Sequence, residues 1–128
     1  MTYYIARQVD GTFDEAIAHV TEALKAEGFS VLTEIDVAKT LKTKLNKDFR
    51  PYRILGACNP SLAFQALSAE DKVGVMLPCN VIVQTLADGR VEIAAIDPTA
   101  AMEAIGNPAL KPIAATVREK LQRAITSL

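Results

Sequence analysis

Apolar side chains recur every three or four residues in an early stretch of the chain: Phe13, Ile17, Val20 and Leu24. This spacing places them on one face of an α-helix. Thr12 and Glu15 have the spacing of a capping box at its start, and Gly28 is the residue type that ends helices in a left-handed conformation. The pattern therefore predicts a helix between Thr12 and Gly28.

A run of apolar residues at intervals of four predicts a final helix that ends at about Thr126: Ile113, Val117, Leu121 and Ile125. Shorter helical segments are expected after Asp36, from Asn59-Pro60 through Leu67, and at Asp97-Pro98. Asp and Asn are common N-caps, and Pro is favoured in the first turn of a helix.

Five stretches have the composition of β-strands: residues 2–9, 29–35, 53–57, 75–86 and 90–96. The last two flank Asp88-Gly89, which is a strong hairpin signal. The order of strands and helices predicts an α+β fold of βαββββα type, with short helices inserted and helices packed on one face of a mostly antiparallel sheet. No repeat or long linker divides residues 1–128, which predicts a single domain.

The charge balance argues against some classes of partner. Half of the 128 residues are apolar, and the formal net charge is −1. A general nucleic-acid or anionic-membrane binder is normally basic, so we expect neither partner. No signal peptide or apolar run of about 20 residues is evident, which favours a cytoplasmic protein with free thiols. The high apolar content leads us to expect a homodimer.

Both cysteines are followed by asparagine, in Cys58-Asn59-Pro60 and in Cys79-Asn80. Cys58 is expected where a strand ends and a helix begins, a position that can lower the pKa of a thiol. The strand of Cys79 can lie beside that of Cys58, and the two asparagines can orient a ligand. The alternative is that both cysteines are inert core residues and both asparagines cap backbone ends.

Charged residues near these segments extend the hypothesis. Arg53 lies in an apolar strand, so we expect it to pair with Asp36 or Asp97, or to reach into a pocket. Asp36 and Asp97 are possible acids of a site, although helix capping explains both more simply. The only histidine, His19, is predicted to be solvated on the first helix. With the two cysteines 21 positions apart, no metal site is expected.

Four segments together resemble domain-of-unknown-function family 302: Thr33–Val37 (TEIDV), Pro51–Pro60 (PYRILGACNP), Leu77–Val81 (LPCNV) and Ile96–Pro98 (IDP). The resemblance covers nearly the whole chain. It implies a compact βαββββα domain similar in topology to one half of a TATA-binding protein. It implies no DNA binding, because one fold hosts many functions, and the family carries no settled activity.

These observations favour a ligand-binding or thiol-redox accessory module. The candidate residues of its site are Cys58, Asn59, Cys79, Asn80, Arg53 and Asp36. A small-molecule ligand is the expected partner, and the sequence indicates no particular cofactor. The alternatives are a cysteine-dependent enzyme with Cys58 as nucleophile, which lacks a well-placed histidine base, and a structural dimerisation domain.

Overall fold

A computed structural model describes residues 2–128. Its five strands are β1 (Tyr4–Val9), β2 (Ser30–Asp36), β3 (Tyr52–Cys58), β4 (Cys79–Thr85) and β5 (Val91–Ile96). Its five α-helices are α1 (Phe13–Ala26), α2 (Val37–Leu45), α3 (Pro60–Ala69), α4 (Pro98–Glu103) and α5 (Leu110–Thr126). A 3₁₀ helix covers Asp71–Met76 between α3 and β4.

The five strands form one sheet in the order β1-β5-β4-β3-β2, and every neighbouring pair is antiparallel. Alternate strand residues point to one face, where they pack with α1 and the C-terminal half of α5. This main core includes Leu24, Leu55, Val81, Ile93 and Leu121, which are almost completely buried. The predicted α+β fold, with an antiparallel sheet and helices packed on it, is confirmed.

The predicted limits of α1 are confirmed by its caps. The Glu15 amide donates to Thr12 Oγ1 at 3.1 Å, and the Thr12 amide donates to Glu15 Oε1 at 3.0 Å. Gly28 follows the helix with a φ of +87°, and its amide donates to the Lys25 carbonyl. Residues with a side chain rarely adopt this φ, so a glycine here allows the chain to turn from α1 into β2.

The prediction of one strand over residues 75–86 is wrong at its beginning. The chain forms a 3₁₀ helix as far as Met76, and β4 starts only at Cys79. Pro78 precedes the strand, and a proline has no amide hydrogen to donate to a central sheet ladder. A short apolar run does not by itself distinguish a strand from a helical turn.

A second, smaller apolar cluster lies beyond the end of the sheet. Its buried residues come from α3, the 3₁₀ helix, α4 and the N-terminal half of α5: Ala66, Val73, Met102, Leu110 and Ala114. The helix α5 therefore contributes to both clusters. At 17 residues it is also the longest helix, and none of the helices described within residues 2–128 is long and apolar enough to cross a membrane.

Candidate functional site

An apolar cleft of about 350 Å³ opens where the two clusters meet. The ends of β3 and β4 form one side, and α3, the 3₁₀ helix and α5 form the other. Apolar side chains from the helices make up most of the wall, including Leu62, Ala63, Ala66, Met102 and Val117. No charged side chain lines the cleft in the part of the chain that the structure describes.

Cys58 and Asn59 lie together at this cleft, where β3 passes into α3. Cys58 is the last residue of β3 and remains partly exposed. Asn59 caps α3, because its Oδ1 accepts from the Leu62 amide at 3.3 Å. Its Nδ2 donates to the Glu27 carbonyl at 3.5 Å. Both ends of the Asn59 amide are therefore engaged in holding the wall of the cleft in place.

Cys79 also lines the cleft, but in a more buried position. It is the first residue of β4 and is 8% exposed. Burial raises the pKa of this thiol to about 11, with a smaller contribution from nearby Cys58. Cys79 is therefore a neutral thiol at physiological pH, and it contributes a small, nearly apolar surface to the cleft.

The sheet register places the two cysteine side chains on different sides of their strands. Ala57, not Cys58, is the direct partner of Cys79 in the β3–β4 ladder. Neighbouring residues in a strand point to opposite faces. The side chains of Cys58 and Cys79 thus leave the sheet in opposite directions, which is unfavourable for a disulfide between them.

We expect the two thiols to differ strongly in reactivity. In native protein at pH 7.5, Cys58 should react with iodoacetamide at least tenfold faster than Cys79, because Cys79 is buried and has a raised pKa. Peptide mass spectrometry after timed quenching measures both rates, and unfolding in urea should equalise them. Equal rates in the native protein would contradict the described burial of Cys79.

The other three predicted site residues lie away from the cleft. Asn80 is exposed and follows Cys79 directly, so it points to the opposite face of β4. Arg53 forms ion pairs with Glu34 and Asp36 across the β2–β3 ladder. It precedes Cys58 by five residues on β3, a separation of about 16 Å along a strand. The structure thus brings together Cys58, Asn59 and Cys79, and not Asn80, Arg53 or Asp36.

Both the sequence and the fold of this chain match those of known proteins. The family model described as "Domain of unknown function DUF302" matches residues 5–128. The chain belongs to this family. Its fold is also that of a crystal structure described as an uncharacterized conserved protein DUF302 from Bacillus stearothermophilus, with a TM-score of 0.92 and 33% identity over 98% of each chain. No match among curated proteins was found.

The ion pair predicted for Arg53 is confirmed in this DUF302 chain, with Asp36 rather than Asp97 as partner. The hydrogen bond from Arg53 to Glu34 is the main cause of the raised pKa of its guanidinium. Asp36 also caps α2, since it accepts from the Lys39 amide at 3.0 Å. This group of charges is structural, because it joins β2 to β3 and begins α2.

Among the residues that the structure describes in this DUF302 chain, Asp97 is the one buried charged residue, and it caps α4. It accepts from the amide and hydroxyl of Thr99 and from Arg118 Nε, at 3.0, 2.6 and 3.1 Å. Burial acts to raise the pKa of Asp97, but the hydrogen bonds from Thr99 and Arg118 outweigh it and hold the pKa below its usual 3.8. Asp97 is not among the residues that line the cleft.

Sequence reasoning missed the helical wall of the cleft in this DUF302 chain. The residues that α3 contributes are one, three or four positions apart: Leu62, Ala63, Ala66 and Leu67. Ala63 and Ala66 have small side chains on the inner side of this short helix. This pair of alanines is the sequence feature that could have indicated a space beside the helix. Within residues 2–128, no group of three or more His, Cys, Asp or Glu side chains is arranged to hold a metal ion.

Proposed function

We propose that this DUF302 domain binds a small, uncharged and mainly apolar molecule in the cleft beside Cys58. The observation that carries the proposal is the cleft itself, whose volume of about 350 Å³ lies within the usual range of ligand pockets. A purely structural domain has no need to keep this space open.

The chemistry of the wall limits what the cleft can hold. An ion would lose its hydration shell without gaining a charged partner, because the lining side chains carry no charge. An apolar molecule gains free energy from leaving water. Cys58 and Thr33 supply the polar groups that can orient such a ligand, since Asn59 is engaged with the backbone.

A thiol-redox role for the same site rests on Cys58 alone. Cys79 is buried and protonated at neutral pH, and the sheet register does not align the two thiols.

The alternative of a cysteine-dependent enzyme lacks support from the geometry, because no carboxylate or imidazole lines the cleft within the described residues. His19 is exposed on α1, and Asp36 and Asp97 cap helices elsewhere.

The proposal can be tested with the fluorescent probe 1-N-phenylnaphthylamine, which emits strongly only in apolar surroundings. The chain contains no tryptophan, so protein fluorescence interferes little with the signal. We expect saturable binding to the native protein. Ala63→Leu should weaken binding at least fivefold, because Ala63 lines the cleft and the added atoms fill it.

Ala69→Leu is the matched control, since Ala69 lies on the same helix, is exposed and does not line the cleft. This variant should bind the probe as the parent does. Alkylation of Cys58 with N-ethylmaleimide should block binding in the same way as Ala63→Leu. If the parent protein does not bind the probe, or if both leucine variants bind it equally, the cleft is not the proposed site.

A further inference from the structure

An apolar row crosses the side of the sheet that faces away from α1 and α5. Cross-strand partners share a face of the sheet, so the register defines this row directly: Ala6, Ala94, Ile82, Ile54 and Ile35. It contains one residue from each of the five strands. We call this side the open face, because all five residues are partly or largely exposed.

An apolar row of this length is unusual on an uncovered sheet, although the next row along the strands is polar: Gln8, Glu92 and Gln84. The solvent side of an antiparallel sheet normally carries polar residues in alternation with the core. Here the row is apolar from one edge strand to the other, and Ile35 at its end is 48% exposed. A trough of about 430 Å³ runs over Ile82, Ala94 and Ile96, with Tyr4 and Tyr52 among its lining residues.

We propose that the open face is the interface of a homodimer, in which two copies of this chain pack their sheets face to face. Ile82 is the middle residue of β4, and β4 is the middle strand of the sheet. A twofold axis through this point would place Ile82 against the same residue of the second copy. The interface is then isologous, with the same surface contributed by both copies.

The few charged groups on the open face are compatible with contact between two copies of the chain. Glu92 is the charged strand residue on this face, and it accepts from Gln84 Nε2 at 2.9 Å. It lies two residues along β5 from the central row, so a twofold contact at Ile82 does not force two acidic groups together. None of the strand residues described on this face is Lys or Arg, and one basic side chain reaches it from the loop before β3, where Arg50 Nε donates to Gln84 Oε1 at 2.9 Å. Nucleic acid, whose phosphates require basic side chains, fits this surface poorly.

The open face is smaller than the interface of a typical stable complex. Five strands of about six residues give a footprint of roughly 400–500 Å², from the usual strand spacing and rise. Crystal contacts bury less than about 400 Å² on each partner, and stable complexes bury about 800 Å². The exposed side chains of Tyr3, Tyr4 and Phe49 can add to the contact. We therefore expect a weak association that requires a high protein concentration.

Sedimentation velocity between about 5 and 500 µM tests the proposal. The parent chain should shift from monomer to dimer across this range. Ile82→Lys should keep the chain monomeric throughout, because a twofold contact brings two lysines together. Ala94→Glu, at the neighbouring position of the row, should act in the same way, and circular dichroism should show that both variants remain folded.

Val75→Lys is the matched control, because Val75 is 85% exposed and lies on the 3₁₀ helix. It should dimerise like the parent. A monomeric parent at 500 µM, a dimeric Ile82→Lys, or loss of the dimer in Val75→Lys would each overturn the proposal. The result is independent of ligand binding, since Ile82→Lys should bind 1-N-phenylnaphthylamine in the cleft with unchanged affinity.

Discussion

Gly56→Ala is expected to lower the free energy of unfolding by about 3 kcal/mol, the upper part of the usual range for overpacking. Gly56 is buried in β3 between β2 and β4. A Cβ at this position would lie 2.1 Å from Thr33 Oγ1 and 2.8 Å from Pro78 Cγ. Both neighbours line the cleft. The absence of a side chain at Gly56 therefore lets this part of the cleft wall pack directly against the backbone of β3.

Urea unfolding followed by circular dichroism measures this loss, and two further variants separate its causes. Gly74→Ala is the control, because a Cβ there meets only Leu67 Cδ2, at 3.9 Å, and its stability should change by less than about 0.5 kcal/mol. Adding Thr33→Ala to Gly56→Ala removes the closest contact and should recover part of the loss. If Gly56→Ala and Gly74→Ala were equally stable, the packing described around Gly56 would be wrong.

Asp97→Ala is expected to lower the free energy of unfolding by about 2 kcal/mol at pH 7, because it removes a helix cap and hydrogen bonds to a charged acceptor. The lost partners are the amide and hydroxyl of Thr99 and the Arg118 guanidinium. Asp36→Ala is a matched control, since Asp36 also caps a helix and pairs with an arginine. Its side chain is 36% exposed, against 8% for Asp97, so we expect about half the loss because solvent weakens exposed pairs.

The cost of Asp97→Ala should depend on pH in a defined direction. The pKa of Asp97 is lower in the folded protein than its usual 3.8, so the ionised form stabilises the fold. This stabilisation is complete above about pH 5 and is lost as the pH falls through the folded pKa. The difference in the free energy of unfolding between the parent and Asp97→Ala should therefore become smaller as the pH falls from 5 to 3. A difference that stays constant over this range would show that the charge of Asp97 contributes nothing.

Local rules predicted the fold well wherever one residue determines a helix end. Thr12, Asp36, Asn59 and Asp97 all cap the helices they were expected to cap. These predictions succeed because a cap depends on a few adjacent residues. The beginning of β4 was mispredicted since the apolar character of residues 75–77 suits a 3₁₀ helix and a strand equally. The similarity to one half of a TATA-binding protein stays a prediction.

The candidate site was predicted in part, and the reason is the geometry of the strands. At Cys58-Asn59 the chain leaves β3 for α3, so both residues can reach the cleft. At Cys79-Asn80 the chain continues as β4, and the alternation of side chains sends Asn80 to the open face. Two similar motifs therefore have different roles. The helical wall depends on how α3 packs against α5, which no local pattern encodes.

The cleft lies where two apolar clusters meet, so its two sides are held by different numbers of buried side chains. The sheet side is part of the main core, whereas α3 and the 3₁₀ helix are held by the smaller cluster. Regions with fewer buried contacts open locally at a lower free energy than the main core. We therefore expect a molecule bound there, as proposed above, to enter and leave while the sheet stays folded. We expect its residence time to depend on the local stability of α3 rather than on the width of the cleft.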